Sequence, residues 1–254
     1  MTDEFIDDDE DYRYLNPKHQ RNLTVTIFGN GFPSEARIVT LKQSETENKF
    51  INIHEQQNPN PKLQRKFTVT IFENRVSITV TKRAGIVRQW LSRIKNRNRN
   101  KLTKRSLVVG LGVQWQPPHT NKVATLQLCV GSQCLIFHIC RSNGIPLILR
   151  DFLSDGNVTF VGVRNYEDAE RLYNDYNLKV KHVLELGYIA GYKGVSMEKL
   201  ASLILGFDGV KKIESVGRSE WDQRELSEKQ VEYACVDAYI SFEIGKKLNA
   251  WKYV

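Results

Sequence analysis

The order of segments in this 254-residue sequence predicts an α/β fold built on one mixed sheet. A near-continuous apolar run at Leu107–Val113 has the composition of a strand that is buried on both faces. Two further strands, Val123–Val130 and Cys134–Ile139, flank a Gly131-Ser132-Gln133 turn as a hairpin. Strand and helix patterns then alternate to the end of the chain. Three antiparallel strands followed by this alternation predict a mixed sheet with helices on both faces.

The alternating part of the chain is predicted to contain four helices and two strands. In chain order these are a helix at Ile145–Leu153, a strand at Val158–Val163, a helix at Asp168–Tyr176, a strand at Val180–Leu186, a helix at Met197–Leu205 and a last helix that ends near Leu248. Ser196 is placed to cap the third helix, and Ser227-Glu-Lys-Gln230 has the pattern of a capping box at the start of the fourth.

An internal repeat precedes the apolar strand. The segment Pro17–Asn30 recurs as Pro61–Asn74, with 10 of 14 positions identical at an offset of 44 residues. Each copy alternates apolar residues with threonine as a strand does, and the second copy continues into Val76–Val80 as a hairpin. Residues 43–62 have the polar composition of a linker. Apolar residues at helical spacing predict a helix at Ala84–Arg97.

Four regions follow from these patterns. They are an acidic tail at 1–16 that we expect to be disordered, a duplicated strand segment and linker at 17–60, an N-terminal β-hairpin extension and basic helix at 61–103, and the main domain at 104–254. The sequence suggests no signal peptide and no apolar run near the ~20 residues of a membrane span. The four cysteines lack CxxC spacing, so we expect an intracellular protein of the nucleus or cytoplasm without a membrane partner.

Charge is distributed unevenly along the chain. Residues 1–11 carry seven acids and no base, which leaves 37 basic against 22 acidic residues in the remainder, a net charge of +15. Between Lys82 and Arg105 there are ten Lys or Arg and no acid. Such a stretch favours polyanions, although a solvated face or a nuclear-localisation patch would have the same composition. The predicted nucleic-acid-binding residues are Arg93, Lys95, Arg97, Arg99, Lys101, Lys104 and Arg105.

Three short motifs follow one another within residues 104–248. They are Val108-Val-Gly-Leu-Gly-Val-Gln-Trp115 with Val123–Cys129, then Phe160-Val-Gly-Val163 leading to Asp168, and last Tyr233-x-x-x-Asp237 on the final helix. Together they resemble the motifs of the DEDDy class of 3′–5′ exonucleases, as in the Werner-syndrome-type exonuclease domain and its small plant relatives. The resemblance implies a ribonuclease-H-like fold. It also implies chemistry in which four carboxylates hold two Mg²⁺ or Mn²⁺ ions about 4 Å apart.

The resemblance assigns roles to three residues. Asp237 would be a metal ligand, Tyr233 would orient the attacking water from one helical turn away, and Asp168 would be the acid of the second motif. The Asp-x-Glu pair of the first motif is replaced by Gly112 and Gln114. At 4 Å and an effective dielectric of 20 a unit charge pair is worth roughly 4 kcal/mol, so two missing carboxylates predict weak or absent metal binding.

Two interpretations of function remain open at this point. The first is a catalytically degenerate protein of the exonuclease family that binds RNA or DNA 3′ ends and forms homo- or hetero-oligomers with exonuclease relatives. The second is an active, metal-dependent 3′–5′ exonuclease that hydrolyses single-stranded RNA or DNA ends. Metal binding separates the two, because only the second needs it.

Overall fold

A single eight-stranded mixed sheet runs through the computed structural model, which describes residues 51–57, 64–118 and 121–254. The strands are β1 (Ile51–Gln56), β2 (Arg65–Ile71), β3 (Asn74–Thr81), β4 (Leu107–Gln114), β5 (Thr125–Val130), β6 (Gln133–Phe137), β7 (Val158–Gly162) and β8 (Val183–Glu185), in the spatial order β1-β2-β3-β6-β5-β4-β7-β8. The helices are α1 (Ala84–Arg97), α2 (Arg99–Thr103), α3 (Leu147–Leu153), α4 (Asn165–Tyr176), α5 (Leu186–Ile189), α6 (Met197–Leu200), α7 (Glu214–Gly217) and α8 (Glu228–Lys247).

The predicted strand arrangement is confirmed. Strands β4, β5 and β6 pair antiparallel, and β7 and β8 then add in parallel to β4, as expected for a ribonuclease-H-like sheet. The predicted hairpin, β2 and β3, joins the same sheet because β3 pairs in parallel with β6.

One sequence prediction in this region is wrong. The expected linker at residues 43–62 contains β1, which pairs antiparallel with β2. Ile51 is buried and lies opposite Ile71, and Ile53 lies opposite Val69. Two isoleucines at alternating positions therefore define the strand, although its other residues are polar. The first copy of the repeat and the acidic tail lie outside the described residues, and the domain boundaries stay predictions.

Helix boundaries depart from the sequence prediction at several ends. Helix α3 begins after Pro146, α4 begins three residues earlier than expected, and β8 is limited to three residues. The helix predicted at 197–205 begins at Met197, and its N-cap Ser196 accepts a hydrogen bond from the Lys199 N–H, but after Leu200 it widens into a π-helical turn. The capping box at Ser227 and Gln230 is present at the start of α8, as predicted. No helix within the described residues is both long and apolar enough to cross a membrane.

Helix α8 packs unusually close to β4, and this contact positions the side chains of both elements that face the cleft. Val108 faces the cluster under α8, whereas Val109 and Leu111 face the cluster that contains α1 and α3. On the α8 side, a Cβ added at Gly110 would lie only 1.9 Å from the carbonyl oxygen of Ala238. A glycine is therefore required at this crossing, because a larger residue would separate the helix from the strand.

Substitution of Gly110 by alanine should destabilise the fold strongly. The methyl group would overlap helix backbone that cannot rotate away, and we expect the free energy of unfolding to fall by about 3 kcal/mol or more. Gly112→Ala is the matched control, because its Cβ would meet only the flexible end of the Gln127 side chain, at 2.9 Å. Urea unfolding of both variants measures the difference, and equal losses would contradict the proposed close crossing.

His138 is buried behind the carboxyl end of β6 and holds the loop that precedes α8. Its Nε2–H donates to the carbonyl oxygen of Trp221 at 3.1 Å, since a carbonyl can only accept. Trp221 is fully buried, and its own Nε1–H donates to the Gly217 carbonyl. Burial, with added repulsion from Arg141 and Lys82, lowers the pKa of His138 to about 4.

The depressed pKa of His138 predicts a loss of stability in mild acid. Between about pH 6.5 and about 4 the unfolded chain binds a proton at this residue that the folded protein does not bind. The contribution of neutral His138 to the free energy of unfolding is therefore fully present above about pH 6.5. It decreases toward pH 4, by at most about 3 kcal/mol. Unfolding measured at several pH values should show this slope in the natural protein and a smaller one in His138→Gln. An unchanged slope in the variant would exclude His138 as its source.

Candidate active site

The three sequence motifs meet in one cleft at the carboxyl ends of β4 and β7, beneath α8. The cleft has a volume of about 220 Å³. All five residues that the sequence marked as catalytic or degenerate positions line it: Gly112, Gln114, Asp168, Tyr233 and Asp237. The structure thus brings together side chains from β4, α4 and α8 that lie far apart in sequence.

An amide side chain lies at each of the two degenerate positions: that of Gln114 itself and that of Gln127 beside Gly112. Gln114 donates from Nε2 to Oδ2 of Asp237 at 3.3 Å, so that it supplies a hydrogen-bond donor where the motif has a carboxylate. Opposite Gly112 on β5 lies Gln127, whose side chain is fully buried and donates to Oγ1 of Thr125 at 2.6 Å. An aspartate at 112 would require the Gln127 amide to turn aside.

A lysine that the sequence motifs did not indicate lies at the centre of the cleft. Nζ of Lys212 is 2.5 Å from Oδ1 of Asp237 and 5.4 Å from the centre of the Tyr233 ring. Burial alone would lower the pKa of Lys212, but the Asp237 carboxylate and the Tyr233 hydroxyl raise it above its ordinary value. Lys212 is therefore a fixed cation at neutral pH. Its loop has no motif or periodicity, and no sequence signal marked it beyond an abundance of Lys and Gly.

The second acid, Asp168, lies close enough to Asp237 for the two carboxylates to interact. Burial, followed by repulsion from Asp237, holds the pKa of Asp168 well above its ordinary value, while Lys212 and a hydrogen bond from the Val113 backbone act in the opposite direction. Burial likewise raises the pKa of the Tyr233 hydroxyl, with Lys212 opposing. Removal of the lysine charge would thus leave two carboxylates in mutual repulsion.

The donor set of the cleft does not fit two divalent ions. Within the described residues, no group of three or more His, Cys, Asp or Glu side chains could hold a metal ion. Asp168 and Asp237 supply at most two negative charges, because burial disfavours the charged form of Asp168, and the ammonium group of Lys212 already offsets the charge of Asp237. A two-metal site presents about four carboxylates to its ions, so the electrostatic attraction here is far weaker.

The predicted basic run lies away from the cleft. Its seven residues belong to the last turns of α1, to α2 and to the segment just before β4. The cleft is at the other end of β4, which at ~3.3 Å per residue spans about 25 Å. None of the seven lines the cleft. The cations that line the cleft are Lys212 and the exposed Arg164. The guanidinium group of Arg171 stacks over the ring of Trp115, 4.0 Å from the ring centre, at the edge of the cleft.

The chain belongs to the 3′–5′ exonuclease family, because residues 109–250, more than half of its length, match the sequence profile of that family. A 3′–5′ exonuclease of Arabidopsis thaliana is 34% identical over 151 residues, which cover 56% of this chain and 52% of that protein. The exonuclease 3′–5′ domain-containing protein 2 of Drosophila melanogaster is 33% identical over 147 residues, which cover 56% of this chain and 25% of that protein. The chain therefore spans about half the length of the plant relative and a quarter of the insect one.

Solved structures of related domains were also found. The crystal structure of the EXD2 exonuclease domain soaked in Mn and Mg is 27% identical and has a TM-score of 0.38, with 69% of this chain and 92% of that chain covered. Escherichia coli RNase D, described as an exoribonuclease involved in structured RNA processing, is 21% identical with a TM-score of 0.49, and 61% of this chain and 42% of that chain are covered.

Removal of the Lys212 charge should make the cleft responsive to metal. In Lys212→Met the two carboxylates lose their counter-ion, and we expect saturating Mn²⁺ to raise the melting temperature by about 3 °C or more, against less than about 1 °C for the natural protein. Thermal unfolding with and without Mn²⁺ measures both shifts. Lys211→Met is the matched control, since it removes the same charge from an exposed neighbour. An equal shift in the natural protein would mean that Lys212 does not oppose metal binding.

Proposed function

We propose that this protein is a catalytically degenerate member of the 3′–5′ exonuclease family that binds nucleic-acid ends without cutting them efficiently. The proposal rests on one observation: each carboxylate oxygen of Asp237 already has a partner within the protein. Oδ1 is paired with the ammonium group of Lys212, and Oδ2 accepts from the amide of Gln114. In this proposal the carboxylate of the third motif has a protein cation as its partner instead of a metal ion.

The balance of charge favours the lysine over a metal pair. A divalent ion would have to displace a cation that is tethered to the same chain, and two of the four expected carboxylates are absent. Each missing carboxylate removes roughly 4 kcal/mol of attraction at an effective dielectric of 20, before the cost of desolvation is counted. We therefore infer that Mg²⁺ and Mn²⁺ bind weakly or not at all.

The same cleft retains features that suit a phosphodiester end. Lys212 and Arg164 supply positive charge, and the half-buried ring of Trp115 offers a flat surface beside Arg171. Cations and aromatic rings together bind single strands with little preference for sequence. In our proposal the ligand is an RNA or DNA 3′ end. Oligomerisation with itself or with exonuclease relatives, and residence in the nucleus or cytoplasm, stay predictions.

A second candidate function is a weak metal-dependent exonuclease that hydrolyses single-stranded RNA or DNA ends. It is favoured by the retention of Asp168, Tyr233 and Asp237 in one cleft, and by an additional acid, Glu167, that lines the same space. If Glu167 or bound water served as the missing ligand, some catalysis could survive.

A nuclease assay separates the two functions. We expect the natural protein to leave end-labelled single-stranded and recessed-end RNA and DNA intact in Mg²⁺ and in Mn²⁺, while it still retards them in a gel. The double substitution Gly112→Asp with Gln114→Glu restores the two carboxylates and should yield degradation from the 3′ end.

Asp237→Ala is the control in both backgrounds. In the restored protein it should abolish degradation. If the natural protein cuts and Asp237→Ala stops it, the second candidate function is correct and the charge argument is wrong.

A further inference from the structure

A second cavity, of about 280 Å³, lies beside the carboxyl ends of β3 and β6. It is bounded by the last residues of β3, by His138 and by the segment just before α8. Four cations line it, against one acid, Glu225: Arg65, Lys82, Arg83 and Arg224. We refer to it as the cationic cavity.

Three of these four cations are available to a ligand. Arg65 forms a bidentate pair with Glu55, with both contacts at 2.7 Å, so its charge is already offset. Lys82, Arg83 and Arg224 form no ion pair within the described part of the chain, and the two arginines are exposed. A concave surface that gathers uncompensated charge of one sign attracts a polyanion of the opposite sign.

The cationic cavity and the active-site cleft open at the same end of the sheet. β3, β6 and β4 all run in the same direction, so their carboxyl ends share one edge, where open α/β sheets place their ligands. In the sheet, Thr81 lies opposite Phe137, Phe137 opposite Leu126, and Thr125 opposite Gln114. Three strand spacings of ~4.8 Å therefore separate the two sites by roughly 14 Å.

Trp221, which is buried, contacts one lining residue of each site. Its backbone carbonyl accepts the hydrogen bond of His138 on the cavity side, and its ring centre lies 6.0 Å from that of Tyr233 on the cleft side. An extended single strand of a few nucleotides would span this separation.

We propose that the cationic cavity binds the phosphodiester backbone of the same single strand whose 3′ end occupies the cleft. This inference rests on the proposed function and adds to it a second point of contact. No Phe, Tyr or Trp side chain lines the cavity within the described residues, and His138 is buried, so the contacts are to phosphate and not to bases. Recognition at this site is consequently independent of sequence and sensitive to salt.

The test compares charge reversal in the cavity with the same reversal elsewhere. Fluorescence anisotropy measures binding of 4- and 12-nucleotide oligothymidylate strands to the full chain, without added divalent metal. In Arg83→Glu with Arg224→Glu we expect the 12-mer affinity to fall about tenfold or more and the salt slope to decrease by about 1.4, since two phosphate contacts are lost. The affinity of the 4-mer should fall as well, because a few nucleotides already span the separation.

Lys247→Glu with Lys252→Glu is the matched control, because both lysines are exposed and lie at and beyond the carboxyl end of α8. It makes the same change in net charge near the amino ends of β4 and β7, where Gly245 of α8 meets Val108 and Val161, and it should leave 12-mer binding within about twofold of the natural protein. Urea unfolding verifies that both double variants are folded. Equal losses in the two double variants would overturn the inference, because net charge alone would then explain the result.

Two further outcomes are decisive. If the natural protein binds the 12-mer and the cavity variant binds it equally well, this inference fails while the proposed function stands. If the natural protein binds neither strand, the proposed function itself fails. Binding of a 12-residue oligoglutamate as tight as that of the 12-mer, and lost in the cavity variant, would assign the cavity to acidic peptides and overturn the inference.

Discussion

The backbone contact between Gly110 and Ala238 is the constraint on which the rest of the cleft depends. With no side chain at Gly110, α8 lies against β4 at a distance that any Cβ would prevent. Asp237 directly precedes Ala238, so this contact also fixes the height of the carboxylate above the sheet. Because side chains on one face of a strand recur every second residue, Gly112 and Gln114 continue the same face toward the cleft. The hydrogen bond from Gln114 to Asp237 follows from that placement.

The ammonium group of Lys212 offsets the repulsion between the two carboxylates that this arrangement holds close together. Two carboxylates held close together on rigid elements repel one another, and in a metal-dependent enzyme the ions remove that repulsion. Here the ammonium group lies against Asp237 and also lowers the pKa of Asp168, in opposition to burial. The cleft can thus be folded and stable in the absence of metal. Loss of the first-motif acids and the presence of an internal cation are consistent with each other, because each reduces the need for a divalent ion.

Much of the fold was accessible from the sequence because its signals are local. The apolar run of β4, the turn after β5 and the capping box of α8 each depend on neighbouring residues. Strand β1 was missed because only Ile51 and Ile53 carry its pattern, and its pairing partner is supplied by β2. The cluster of Gly112, Gln114, Asp168, Tyr233 and Asp237 was predictable only because a family resemblance joined motifs that lie far apart in sequence.

The position of Lys212 in the cleft and the separation of the other cations between the ends of the sheet are set by tertiary structure. No local sequence pattern predicts them. The ten bases between Lys82 and Arg105 form one run in sequence, but the structure places nine of them at the two ends of the sheet, and Arg88 lies within α1 between them. Lys82 and Arg83 lie at the carboxyl end of β3, in the cationic cavity, whereas the seven residues predicted to bind nucleic acid lie at the start of β4.

Helix α1 explains this division. It begins at the end of the sheet that holds both sites and runs toward the opposite end, so its last turns carry the basic residues away. The densest run of bases in the sequence therefore lies away from the edge of the sheet where the cleft opens. In our proposal the cations that contact the ligand are those that α1, β3 and the loop before α8 leave at the edge of the sheet where the cleft opens.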